Sequence, residues 1–357
     1  MVLNMKILHI IDTTYFETHK KTISEFILAL SHENIEQKIY TEMGTDIGWV
    51  KTLCDVENWK ISKSEKLRTL SNKIKTWLLI SSFRPDIIIK YGKNAREIAW
   101  ETGGVQISFL NEKENLSTFE NTDYIMTNTE DVLSFAKSHG YSGSRSFLLP
   151  PFMYMYDNNV PVEKRNYFIP EKAKIIYIAG TFLKNIGFER AFDSIGIVSD
   201  TYFFIVGSGP DEEYVKDYAS KVNIKARSRF ISEIEKSFIS ASVAEFAFLP
   251  FDDTELSKYI LEAMMQKKLV ITVKNSQSEE FVSDGKTGFF VSKNDNYLIK
   301  KKLKEIMNLS PEEKQKIADA GFEVAKNYLH TKIITGYIQT FKELIKKYNS
   351  RKNLLNN

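Results

Sequence analysis

Between two apolar stretches of this chain lies a polar acidic loop, Asp252-Asp253-Thr254-Glu255, whose hydroxyl and carboxylate groups suit the hydroxyls of a sugar. Glu262 follows within Leu261-Glu262-Ala263-Met264. The residues before the run, Ala244 to Pro250, read as a buried strand, and those after it read as a helix. A ligand beside the start of such a helix meets free N–H groups and the positive end of the helix dipole, which suits a phosphate. A carboxylate in the early turns, Glu262, is able to accept from a sugar hydroxyl. Lys258 follows the run closely, and Lys184, a second candidate cation, stands far upstream.

These residues need a scaffold, and the chain supplies a repeating one. Leu269-Val270-Ile271-Thr272 is a second apolar strand, and Asp284-Gly285 with Gly288 closes a turn. Upstream, Lys174 to Ala179 and Tyr202 to Val206 read as strands, with helices at Phe188–Ile195 and Asp211–Lys221. The first half alternates in the same way. Strands are expected at Lys6–Ile11, Gln37–Thr41, Asp86–Ile89, Val105–Phe109, Tyr124–Thr127 and Phe147–Leu149. Helices are expected at Thr22–Leu30, over Ser62–Ser82, and before His139-Gly140. Such alternation implies an α/β fold with mostly parallel, doubly wound sheets. Pro150-Pro151 and Pro161, with Asp157-Asn158-Asn159 between them, mark a linker. The expected organisation is a first domain over 1–152 and a second over 163–330. Ile333, Ile334, Tyr337, Ile338, Phe341, Leu344 and Ile345 form a helical stripe over 331–348, and since proteins resembling this two-domain design commonly send their last helix back to the first domain, the same is expected here. A mobile tail over 349–357 completes the chain.

Composition excludes several classes. A length of 357 residues and 43% apolar content suit two cores. Lys+Arg 49 against Asp+Glu 46 gives a net charge of +3, which argues against a nucleic-acid partner. One cysteine, Cys54, rules out an internal disulfide framework and a cysteine-rich zinc site. The five histidines lack metal-ligand spacing, and His9 reads as a satisfied core residue. No signal-peptide pattern or spanning apolar run is present, so a cytoplasmic protein is expected, at most lying on the inner membrane surface. The Ser62–Ser82 helix carries Lys63, Lys66, Arg68, Lys73 and Lys75 beside Leu67, Leu70, Ile74, Trp77 and Leu78. That pattern fits an anionic membrane surface, and it fits a plain amphipathic helix packed on the sheet.

Four segments resemble one family in order. Gly207-Ser208-Gly209-Pro210 is similar to its G-x-G-P-E turn, and Phe230-Ile231 to the strand whose loop lies against the nucleotide base. Glu262 corresponds to the second Glu of a Glu-x7-Glu motif, and Glu280-Phe281-Val282 with Asp284-Gly285 and Gly288 to a later segment. The family is the retaining glycosyltransferases of the two-Rossmann-domain (GT-B) type, family 4. The resemblance implies a nucleotide-diphosphate sugar as donor, a glycan, lipid-linked or protein acceptor, and neither metal nor further cofactor. It implies that Glu262 holds the ribose, that Ile231 and Gly207 adjoin the nucleotide, and that Leu261 and Ala263 offer backbone near the phosphates. Thr254 or Glu255 would face the donor sugar as the catalytic position. The departures are specific. Thr254 stands where the first Glu belongs, with Glu255 one place later. Thr181 and Ile186 replace the family's Arg and Lys, which leaves Lys184 or Lys258 to neutralise the diphosphate. The loop Asp12–His19 lacks the family's glycines, and Lys90 replaces a His, with Lys93 following. These losses also fit a non-catalytic relative that binds a glycan or partner subunit.

Overall fold

The structure is a computed structural model. It describes residues 5–42, 45–59, 65–98, 103–113, 119, 122–155, 162–196, 198, 200–232 and 236–355. The chain forms two compact units, Met1–Pro150 with Thr331–Asn357, and Pro151–His330. The expected linker residues Asp157-Asn158-Asn159 and Pro161 lie outside the described residues.

The first unit holds a seven-stranded sheet. Its strands are β1 (Met5–Ile11), β2 (Ile35–Glu42), β3 (Asp55–Trp59), β4 (Ile87–Tyr91), β5 (Val105–Phe109), β6 (Tyr124–Thr127) and β7 (Ser146–Leu148). The order is β3-β2-β1-β4-β5-β6-β7, with every pair parallel. Helices α1 (Thr13–Thr18), α2 (Lys20–Ser31), α3 (Glu65–Phe83), α4 (Lys93–Ile98) and α5 (Glu130–Ser138) connect them. Central strands such as Ile87-Ile88-Ile89 are apolar without alternation because helices cover both faces. Strand β3 was not legible beforehand, since Asp55-Val56-Glu57-Asn58 is rich in residues that strands disfavour. It tolerates them as an exposed edge strand. The glycine-free loop after β1 folds as α1, with the Asp12 carboxylate accepting from the N–H groups of Thr14 and Tyr15.

The second unit holds a six-stranded sheet built from β8 (Lys174–Ala179), β9 (Thr201–Val206), β10 (Ser228–Ile231), β11 (Phe246–Leu249), β12 (Leu269–Val273) and β13 (Phe289–Val291). The order is β10-β9-β8-β11-β12-β13, again parallel throughout. Its helices are α6 (Phe188–Ile195), α7 (Glu212–Lys221), α8 (Ser237–Ser242), α9 (Leu256–Met265), α10 (Asn296–Met307) and α11 (Pro311–Ala325). One core runs through this unit, led by Phe182, Phe188, Phe192, Phe203, Phe204 and Phe248.

The last helix, α12, spans His330–Leu355. Ile334, Tyr337, Phe341 and Leu344 are buried. The Phe26 ring of α2 lies 5.6 Å from Tyr337 and 6.3 Å from Phe341, and the Tyr337 hydroxyl donates to the Pro150 carbonyl. The expected tail from Asn349 is instead a continuation of α12 to Leu355. No glycine or proline interrupts residues 349–355, so the helix has no reason to stop there.

Candidate functional site at the carboxyl end of the second sheet

In an open parallel sheet, ligands bind beyond the carboxyl ends of the strands, where the strand order reverses. In the second sheet the reversal falls between β8 and β11. The loops leaving those strands carry Gly180-Thr181 and Asp252-Asp253-Thr254-Glu255. Asp253 joins them. Its carboxylate accepts from the Thr181 N–H at 2.6 Å, the Thr181 hydroxyl at 3.0 Å and the Glu255 N–H at 2.9 Å. Burial raises the Asp253 carboxyl above its ordinary pKa, and the three hydrogen bonds oppose that shift. Asp252 is the outer member of the pair, between Arg190 at 3.3 Å and Lys293 at 2.9 Å. Both are thus structural carboxylates. Among the described residues no cluster of three or more metal-ligating side chains forms.

Helix α9 begins at Leu256, and Glu255 is its N-cap residue without a side-chain cap bond. This start moves the phosphate-facing groups. Leu261 and Ala263 occupy the sixth and eighth helical positions, where the N–H groups belong to the helix ladder. The expectation that they offer backbone to phosphates therefore gives way to the first turn, Leu256-Ser257-Lys258. Ser257 was missed by sequence reasoning. Its hydroxyl is buried with no hydrogen-bond partner among the described residues. A small polar residue in the second helical position was the available signal. Thr254 is half-buried in the turn ahead of the helix, and Glu255 is buried.

Glu262 is wholly buried at the seventh position of α9. Its carboxylate accepts from the Ser237 hydroxyl at 2.5 Å, and the Ser237 oxygen lies 2.7 Å from the Tyr177 hydroxyl. With Ser237 donating to Glu262, Tyr177 donates to Ser237. A ribose hydroxyl reaches this carboxylate only if Ser237 and its neighbours give way.

The two candidate cations differ sharply. Lys258 is buried, donates to the Phe152 carbonyl at 2.7 Å and lies 4.0 Å above the Phe152 ring. Freeing it would strand a buried charge. Lys184 sits in the loop after β8 with about half its side chain exposed. Its Nζ is 3.4 Å from Asp211 and 5.2 Å from the Tyr214 ring centre. Exposed ion pairs are weak, so this ammonium group is free to turn to another anion.

The glycine turn after β9 serves packing. A Cβ on Gly207 would collide with the Gly180 carbonyl oxygen, and one on Gly209 would come within 2.6 Å of the Phe182 carbonyl oxygen. Gly207 itself has a φ of 153° and donates to the Ile231 carbonyl at 3.0 Å. Gly207 thus lets the β8 and β9 loops touch, and its bond to Ile231 ties the β9 loop to the end of β10. In the first unit, Lys90 is a wholly buried residue of β4, just past the expected strand end at Ile89, while Lys93 is exposed 3.8 Å from Glu97.

Residues 159–324 match the family model of glycosyl transferases group 1. A solved glycosyltransferase from Rickettsia africae superposes with a TM-score of 0.74 at 13% identity, over 96% of this chain and 99% of that one. HepE of Anabaena, solved with UDP and glucose, gives 0.74 at 12% identity over 95% and 100%. The chain has the GT-B glycosyltransferase fold. Among curated relatives, the lipopolysaccharide core biosynthesis glycosyltransferase LpsE of Rhizobium meliloti is 21% identical over 87% of this chain and 92% of its own length. The family match and this relative together support glycosyltransferase activity.

Proposed function

We propose that the chain is a retaining glycosyltransferase of family 4 that uses a nucleoside-diphosphate sugar, hexosyl or N-acetylhexosaminyl. The observation that carries this reading is the first turn of α9, with the buried Ser257 hydroxyl, standing at the reversal point of the second sheet. The donor diphosphate lies against that turn, and Lys184 leaves Asp211 to meet it. Helix end and ammonium group supply the positive charge, so the transfer needs no metal. The bond between the anomeric carbon and the phosphate oxygen breaks as the acceptor oxygen bonds on the same face. The departing phosphate takes the acceptor proton, and Thr254 or Glu255 borders the sugar. Likeness to LpsE and UDP-bound HepE supports a uridine nucleotide donor and a glycolipid acceptor over a protein one. Such a donor and the single cysteine fit a cytoplasmic location.

Calorimetry of the purified chain against nucleoside diphosphates and the matching nucleosides tests the donor site. Lys184→Ala should weaken diphosphate binding by about 10- to 150-fold, the loss of one charge-assisted bond of roughly 1.5–3 kcal/mol, with nucleoside affinity unchanged. Equal effects on both ligands, or no diphosphate binding, would remove the reading. Binding without sugar transfer to any glycolipid acceptor would favour the non-catalytic alternative. NMR of the product anomer against the donor checks retention.

A further inference from the structure

Helix α3 has a core face and, opposite it, an exposed apolar strip. Its buried face is Asn72, Thr76, Leu79, Ile80 and Phe83. Its outward face is Ile74, Trp77 and Leu78, exposed by 52%, 44% and 54%. At 100° per residue these three fall within about one third of the helix circumference, opposite Thr76. Lys73 and Lys75 stand one residue to either side of Ile74, so one cation borders each edge of the apolar strip. Lys75 is exposed and Lys73 half-buried. Three large adjacent apolar side chains facing water are an unusual surface for a helix that already has a core face, and such patches mark contact sites.

We propose that this face of α3 is a docking surface for a bilayer rich in anionic lipid. The helix would lie in the interface plane, with Ile74, Trp77 and Leu78 among the upper acyl carbons and the two lysines at the headgroup phosphates. Charge decides between lipid and a second copy of the chain. A symmetric contact through this face would bring its lysine borders together, whereas anionic headgroups complement them. The surface is independent of the donor site, since every α3 residue used lies in the first unit and the α9 turn lies in the second.

Co-sedimentation of the full chain with phosphatidylglycerol and with phosphatidylcholine vesicles provides the test. The chain should partition to phosphatidylglycerol vesicles at least tenfold more than to phosphatidylcholine at low salt. The triple variant Ile74→Ser, Trp77→Ser, Leu78→Ser should lose at least tenfold of that partitioning, and Lys73→Glu with Lys75→Glu should remove the preference for the anionic lipid. All three residues of the triple variant are substantially exposed, so its melting temperature and nucleotide affinity should match the parent, which separates this test from that of the donor site. Equal partitioning of parent and triple variant would overturn the proposal. So would light scattering that shows a dimer in the parent and a monomer in the variant, because the face would then belong to a second copy.

Discussion

Single side chains in the first unit set an acid limit on its stability. His9 lies between Gln37, 3.0 Å from Nε2, and the Tyr91 hydroxyl, 3.1 Å from Nδ1. The Gln37 amide nitrogen donates to the Ile27 carbonyl, so its oxygen faces His9 and Nε2 must carry the proton. His19 has Nδ1 2.9 Å from the Tyr15 carbonyl, which makes Nδ1 the protonated nitrogen. Burial lowers both imidazoles from 6.5 to about 4. A base depressed in the folded state stabilises above its unfolded pKa, and that contribution is lost as pH falls from 6.5 towards 4. At pH 5 each histidine should have cost about 2 kcal/mol relative to neutral pH. Melting curves at pH 7.5 and pH 5 should show the loss, and His19→Gln should shrink it. An unchanged pH dependence in that variant would show that other groups are responsible. Residue roles were the least legible part of the sequence. Glu262 and Lys258 stand at suggestive spacings, yet Ser237 and Phe152, the groups that engage them, are 25 and 106 residues away in sequence. Asp253 was legible only as one residue of the acidic run, because Thr181, its partner, is 72 residues distant.

At the scale of elements the sequence was far more informative, since strands buried on both faces announce themselves as apolar runs. The strand from Lys174 to Ala179 has the same bounds in the structure as in the pattern, and so do the strands over Val105–Phe109 and Tyr124–Thr127. Periodicity failed where it was asked for direction. The α3 stripe has true helical spacing, but spacing does not say which face is buried, and here that face is Asn72, Thr76, Leu79, Ile80 and Phe83. Loop contacts were equally hidden. The glycines after β9 were read as nucleotide-facing, and they prove to allow two backbones to touch. Gly207→Ala should cost about 2–4 kcal/mol, from the steric clash and the positive φ together. Gly143→Ala, where an added Cβ meets nothing within 4 Å, is the matched control and should be near neutral. Comparable urea midpoints for the two variants would show that the β8 and β9 loops separate freely.

For the molecule as a whole, the closing helix is what makes the first unit complete. Ile334, Tyr337, Phe341 and Leu344 of α12 are buried, and each is worth roughly 1.5–3 kcal/mol. Their sum is comparable with the entire stability of a typical domain. A chain ending at His330 keeps every residue of the second unit and loses α12. Its calorimetric trace should retain the transition of the second unit and lose that of the first, with protease cleavage concentrated before Pro150. Two intact transitions would show that α12 is dispensable. The same connectivity orders events during synthesis. The first 150 residues leave the ribosome first, yet the helix that covers Phe26 is translated only after the 180 residues of the second unit. At ordinary elongation rates that gap is roughly 10–40 s. The later-made unit is therefore the earlier to finish, and the nascent first unit waits with an open hydrophobic seam, a natural client for chaperones at the exit tunnel.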